Sequence, residues 1–248
     1  MYVAAYQKGN NSLLRGPFVF PLLFGFVLTL WPELISPFTI FEFWKTKGSF
    51  WEAVFNAWPW YVWGIAINIF YYIYKTRGYN SGSVGVKFVD AFKVSVYAGV
   101  SEEIVYRWIL FFLALSILPF SNWLLGGFMD LELIRWLYQY ALCPVANFFT
   151  FGYLEPYLMN GYGWVVGAAV ISTSSSFRNG HAYQGLLGFI NSWFFGMYMH
   201  YVVFKYGLLP AIFIHFLYDY LILSLSAVFT AIDNIALRRS LSSFIDRR

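Results

Sequence analysis

The chain has 248 residues, of which 60% are hydrophobic, 24% aromatic and only 11% charged, a balance far from that of a water-soluble domain. The bases behind its net charge of +4 flank apolar runs and mix with no aromatic groove motif, which argues against a nucleic-acid surface. Apolar runs of spanning length, without the alternation of barrel strands, disfavour a β-barrel and predict an all-α, integral, multi-pass membrane protein.

The first apolar stretch, residues 17 to 43, contains Pro21, Pro32 and Pro37, so it is either a kinked span or a span followed by an interfacial segment. No small-residue cleavage site follows it, and it is expected to stay in the protein. A second span runs from Ala53 to Tyr74, with Trp58 and Trp60 at one end and Tyr71, Tyr72 and Tyr74 at the other, an aromatic belt on each side. Residues 78 to 85 form a polar, turn-rich loop. The stretch from Val86 to Leu118 exceeds one span, and Lys87, Asp90 and Lys93 at helical spacing place its first third near the interface.

Further spans are expected at 133 to 150, 163 to 178, 184 to 204 and 208 to 229, divided by Gly126-Gly127, Asn160-Gly161, Asn179-Gly180 and Tyr206-Gly207. The count is seven, or eight if residues 17 to 52 hold two. Basic residues near both ends favour eight or a re-entrant piece, either of which returns the chain to the same side. Residues 1 to 248 are expected to form one integral membrane domain, with no internal repeat. The single cysteine, Cys143, is expected to be a small buried residue.

Three places carry polar groups inside apolar helix: Ser101-Glu102-Glu103-Ile104-Val105-Tyr106-Arg107, Phe177-Arg178-Asn179-Gly180-His181, and His215-Phe216-Leu217-Tyr218-Asp219. Ionisable groups at membrane depth are expensive, at roughly 2.5 to 3.5 kcal/mol for an Asp, Lys or Arg at a helix centre, so they face a protein interior or a wet cavity. Glu103 and Arg107 stand at i and i+4 and share a face, whereas Glu102 is turned about 100° from Glu103. One glutamate then pairs with the arginine and its neighbour can serve as a general base. His215 and Asp219 are one turn apart, so the carboxylate can hold one ring nitrogen and orient the other. Two imidazoles and a carboxylate can bind a divalent metal or activate water directly, and composition does not choose.

Other readings of single residues are blander. Glu103 with Arg107 alone is a stabilising ion pair, His181 beside Asn179-Gly180 can cap a loop, and His200 between Met199 and Tyr201 is an interfacial or packed histidine outside the site. The hydroxyls Ser172 to Ser176 bond backbone or a neighbouring helix. There is no His-Glu-x-x-His and no Gly-x-Ser-x-Gly, so a soluble-type zinc protease and a serine protease are disfavoured.

At these residues the chain resembles the CPBP family of intramembrane proteases, also called the Abi or CAAX prenyl protease 2 family. The shared pattern is Glu-Glu-x-x-x-Arg, then Phe-x-x-x-His, then His-x-x-x-Asn or Asp, here Glu102, Glu103 and Arg107, Phe177 and His181, and His215 and Asp219. The resemblance covers residues 98 to 222, the expected protease-like core, and implies a helical bundle around a polar cavity within the membrane. It implies that Glu102 and His181 activate the attacking water, while His215 and Asp219 stabilise the oxyanion or orient the site. The family has been described both as metal-dependent, with zinc or a similar ion here falling to Glu102, His181 and His215, and as a metal-independent glutamic protease. The second is favoured.

Two departures stand out. Trp108 follows the arginine where many members have glycine, and Asp219 replaces the commoner asparagine; an ionised carboxylate has no proton to give an oxyanion, so Asp219 better serves by orienting His215, by holding a proton or by binding a cation. The expected function is an intramembrane endopeptidase acting on a membrane-bound peptide or protein, with CAAX-type processing of a lipidated substrate as one form. Its partners are that substrate and the lipid bilayer, and no nucleic acid. The rivals are a proton-coupled transporter or channel, in which the same acids and histidines relay protons, and a catalytically inactive scaffold or immunity protein of the same fold.

Overall fold

The computed structural model describes residues 37–75, 88–126, 131–159 and 163–245. The expectations on residues 17–36, on the polar loop at 78–85, on Lys87, on Gly127, on the Asn160-Gly161 turn and on the basic extreme ends lie outside them. Every regular element among the described residues is helical. After a 3-10 turn at Glu42–Trp44, the chain forms α1 (Phe50–Asn56), α2 (Trp58–Lys75) and α3 (Phe88–Glu102). A π-helical turn, Glu103–Ile109, leads into α4 (Leu110–Gly126). Then come α5 (Leu133–Leu137), a second π turn (Tyr138–Leu142), α6 (Cys143–Phe149), α7 (Glu155–Leu158), α8 (Gly163–Gly180), a 3-10 turn (Ala182–Gln184), α9 (Gly185–Tyr206) and α10 (Leu208–Ile245).

Among the described residues, two helical stretches are long and apolar enough to cross a membrane: the 39 residues Phe88–Gly126 and the 28 residues Leu208–Ile235. The remaining expected spans are helical wherever they are described, but differ from simple spans for physical reasons. The span at 53 to 74 is broken at Ala57, because Pro59 at the second position of α2 has no N–H to continue the bonding of α1. The span at 133 to 150 is a mixture of α and π turns, and α8 is rich in serine and glycine, which lowers its hydropathy below that of a simple apolar rod.

The chain divides into two compact units. The described part of one consists of residues 51–75, 88–100 and 212–245, and that of the other of residues 37–50, 101–126, 131–159 and 163–211. In the first, α3 closes on α10 where Gly99 has no side chain: a Cβ there would lie 2.9 Å from the Ile212 carbonyl oxygen and 2.9 Å from the Phe216 nitrogen. Phe92 meets Phe216 and Tyr220 edge-on. Along α2, Ser226 Oγ donates to Asn68 Oδ1 at 3.2 Å, and Tyr72 stacks on Phe229 with ring centres 4.2 Å apart.

In the second unit α8 is central, packing against α4 and α9. Val166, Ala168, Ala169 and Val170 are fully buried there, small enough to let the neighbouring helices approach. Cys143 is buried, as expected from the sequence. A strap of chain, residues 38–47, closes this unit with aromatic residues: Phe43 packs on Phe111, Phe112 and Phe204, and Phe38 stacks on Phe204 at 5.5 Å. Burying one such ring contributes roughly 1.5–3 kcal/mol. The strap is tied down where Lys47 N–H donates to the Tyr206 carbonyl at 3.2 Å. Gly207 makes this junction with φ of +101°, and a Cβ there would come within 2.6 Å of the Lys45 carbonyl oxygen, so glycine is required on both conformational and steric grounds.

Candidate active site

The acidic cluster sits where the helix changes its winding. Glu102 ends α3 and Glu103 opens the π turn, in which each N–H reaches back five residues instead of four. Glu103 and Arg107 are both fully buried, and Glu103 Oε2 lies 3.3 Å from Arg107 Nε. The contact is one of charge and not an aligned hydrogen bond, and among the described residues Arg107 Nη1 and Nη2 find no acceptor. What covers the guanidinium is a ring: Arg107 Cζ lies 4.3 Å from the centre of Phe177, a cation–π contact in a dry setting. The sequence expectation of a Glu103–Arg107 pair on one face is met, and the pair also anchors Phe177 of the second motif.

Phe177 in turn fixes His181. The phenylalanine is buried near the end of α8, and His181 lies just beyond the helix, which stops at Gly180. His181 therefore stands in a turn and not in mid-helix as the sequence suggests; Asn179-Gly180 ends the helix one residue before it. Its Nδ1 lies 2.8 Å from the Phe177 carbonyl oxygen, and its ring packs on the Phe177 ring at 4.4 Å. A carbonyl only accepts, so Nδ1 carries the proton and, in the neutral ring, Nε2 is left as an acceptor. That Nε2 lies 3.7 Å from Glu102 Oε2, with both side chains partly exposed.

Two acceptors at that separation suit a water that donates one O–H to each. Pulling on both protons raises the nucleophilicity of the oxygen, which is the requirement for general-base activation. The first two motifs of the sequence are thus brought together in one unit: Glu102 with His181, and Glu103 with Arg107 and Phe177.

The third motif lies in the other unit, on α10. His215 is buried, and its Nε2 lies 3.6 Å from Asp219 Oδ2, one turn on. The two side chains stand beside each other as the i, i+4 spacing predicts, at a separation longer than a hydrogen bond. A catalytic zinc centre takes three protein ligands. Glu102 and His181 supply two, and among the described residues of their unit no group of three His, Cys, Asp or Glu side chains is arranged to hold a metal ion.

Three neighbours complete the description. His200, set aside in the sequence, is fully buried between α8 and α9; its Nδ1 donates to the Gly196 carbonyl at 3.0 Å, and its Nε2 lies 3.1 Å from Thr173 Oγ1. The serine and threonine hydroxyls of α8 bond backbone or a neighbour, with Thr173 Oγ1 donating to Ala169 O at 2.7 Å and Ser172 Oγ paired with Tyr138 Oη at 2.7 Å. Trp108, the departure beside the arginine, donates its indole N–H to the Ile40 carbonyl at 2.7 Å and meets Trp44 edge-on at 5.3 Å. It holds the strap. Sequence reasoning missed that role, because Ile40 lies 68 residues away. It also left Tyr106 unassigned, although its spacing of four from Glu102 was visible.

The family model described as type II CAAX prenyl endopeptidase Rce1-like matches residues 85–221, more than half of the chain. The matched region contains all three motifs. No curated protein and no solved structure matches the chain.

Proposed function

The chain belongs to the Rce1-like family of type II CAAX prenyl endopeptidases, a family of membrane-embedded proteases, and on that premise we propose that it is a multi-pass enzyme hydrolysing a peptide bond in a membrane-bound, prenylated substrate. The substrate class follows the family: a protein whose C-terminal Cys-a-a-X segment carries a prenyl group on the cysteine. The prenyl chain holds the scissile segment at the membrane, where a site among apolar helices can receive it.

The observation that carries the mechanism is the facing of Glu102 Oε2 and His181 Nε2 at 3.7 Å, with the far nitrogen of the imidazole committed to the Phe177 carbonyl. Water held by these two acceptors attacks the peptide carbonyl carbon. One proton passes to the Glu102–His181 pair, the carbonyl oxygen becomes an oxyanion, and the pair returns the proton to the departing amine nitrogen as the C–N bond breaks. His215, oriented by Asp219, is assigned the stabilisation of developing charge. Glu103 and Arg107 do no chemistry in this scheme; they hold Phe177 and so the histidine. No step requires a metal ion.

The test is cleavage of a farnesylated Cys-a-a-X peptide by the full chain in proteoliposomes. The wild-type chain cleaves it, with or without a chelator, and Glu102→Gln, His181→Ala and His215→Ala each remove cleavage while the protein still inserts and unfolds cooperatively. Cleavage that survives Glu102→Gln overturns the water-activating role, and loss of cleavage on chelation, restored by zinc, overturns the metal-independent scheme.

A further inference from the structure

We propose that Tyr106 is a further catalytic residue, whose phenol O–H donates a hydrogen bond to the oxyanion formed during hydrolysis; the inference rests on the peptidase reading above. The argument begins with what the Glu102–His181 pair lacks. Both atoms that face each other are acceptors, so the pair can draw protons from water but offers no donor to a carbonyl oxygen that is gaining negative charge. An oxyanion needs donors placed in advance, and His215, assigned to that charge above, belongs to the other unit, so the question is what the unit of Glu102 and His181 itself supplies.

Within the same unit, Arg107 is the nearest candidate by sequence, but its side chain has no exposure at all, closed in by Glu103 and the face of Phe177, and it cannot meet a substrate oxygen. Tyr106 is placed differently. It stands four residues after Glu102, about one turn along, so its side chain rises on the face of the helix that carries the general base. Its ring meets Phe177 edge-on with centres 5.3 Å apart, and Phe177 is the residue that fixes His181.

The hydroxyl is located by Gly180, the residue before the histidine: a Cβ there would lie 3.3 Å from Tyr106 Oη. A phenol therefore ends beside the backbone that presents His181 and on the side of the helix that presents Glu102. It is partly exposed, and among the described residues no hydrogen bond engages it. A phenol retains its proton at neutral pH and is both donor and acceptor. Here it supplies the one function the acid–imidazole pair does not have. The donor keeps its proton throughout: it shortens its hydrogen bond as the oxyanion forms and relaxes as the C–N bond breaks, so the proton balance of the hydrolysis is unchanged. Gly180 fits the same account, since any side chain at that position would press on the hydroxyl.

The experiment compares wild type with Tyr106→Phe, which keeps the ring against Phe177 and removes only the hydroxyl, using the farnesylated Cys-a-a-X peptide in proteoliposomes. Losing an oxyanion donor lowers kcat by about 100- to 1,000-fold while KM changes by less than about threefold. A kcat within about threefold of wild type, or a loss confined to KM, overturns the inference. A second variant, with 3,5-difluorotyrosine at position 106, preserves size and packing but gives a more acidic phenol. Cleavage should then fall off at a lower pH than in wild type, because a phenolate has no proton to donate, and an unmoved basic limb overturns the proposal even if Tyr106→Phe folds poorly. Cleavage by wild type with no effect of either change rejects Tyr106 alone, whereas no cleavage by wild type rejects the peptidase reading and this inference with it.

Discussion

Replacing Arg107 by methionine is the most informative change to the packing beneath the site. Glu103 and Arg107 have no solvent exposure and stand 3.3 Å apart. Removing the cation leaves a carboxylate buried beside an apolar side chain, and breaking a buried pair from one side costs about 3–5 kcal/mol. The guanidinium over Phe177 adds a desolvated cation–π contact worth about 2 kcal/mol. Together these approach the whole stability of an ordinary domain, about 5–15 kcal/mol. Arg107→Met should therefore lower the unfolding free energy of the chain in detergent by at least about 3 kcal/mol, a change of more than 100-fold in the folding equilibrium. The companion experiment is the double variant Glu103→Gln, Arg107→Met. With no charge left in the dry pocket, it should regain more than half of what the single variant loses, because paired burial of ions contributes little beyond what an apolar replacement provides. Denaturant titration of the three proteins measures both effects. An Arg107→Met protein as stable as wild type, or a double variant no better than the single one, refutes the account of this pair as an uncompensated-charge problem solved by contact.

Two further changes probe the strap. Trp108→Phe keeps a ring against Trp44 but leaves the Ile40 carbonyl without its indole donor, and should cost about 0.5–1.5 kcal/mol by thermal or denaturant unfolding while cleavage persists. Abolished cleavage with unchanged stability would mean that Trp108 belongs to the chemistry and not to the strap. Gly207→Ala imposes a Cβ at φ of +101° against the Lys45 carbonyl, and about 1–3 kcal/mol of destabilisation should appear in the same assay; an unaltered unfolding midpoint would contradict the described junction.

Much of the helical plan is written in the sequence because apolar runs of spanning length leave few other structures, and the three motifs are visible because each places its members four residues apart. Family membership is borne out, as is the pairing of Glu103 with Arg107. Other features depend on residues far apart in the chain. Nothing near Trp108 announces that its indole meets Ile40, and nothing near Phe43 announces the ring cluster with Phe111 and Phe204. The stop before His181 is legible locally, since Asn179-Gly180 divides the expected spans there, although the motif itself reads as lying inside apolar helix. The break at Ala57 was equally local, signalled by Pro59 but masked by the aromatic richness around it.

The π turn at Glu103–Ile109 carries a wider consequence. A wide turn accommodates an extra residue, so the angular phase of everything after it is offset from everything before it. A single helical wheel drawn through residues 101 to 126 consequently blurs two patterns into one, and the acid pair and the buried rings Phe111 and Phe112 must be projected separately. Deleting one residue between Ile104 and Tyr106 would restore ordinary winding and swing the guanidinium away from Phe177 while every side chain named in the motifs remained. In this chain the count of residues between the motif positions is thus as much a part of the packing as their identity.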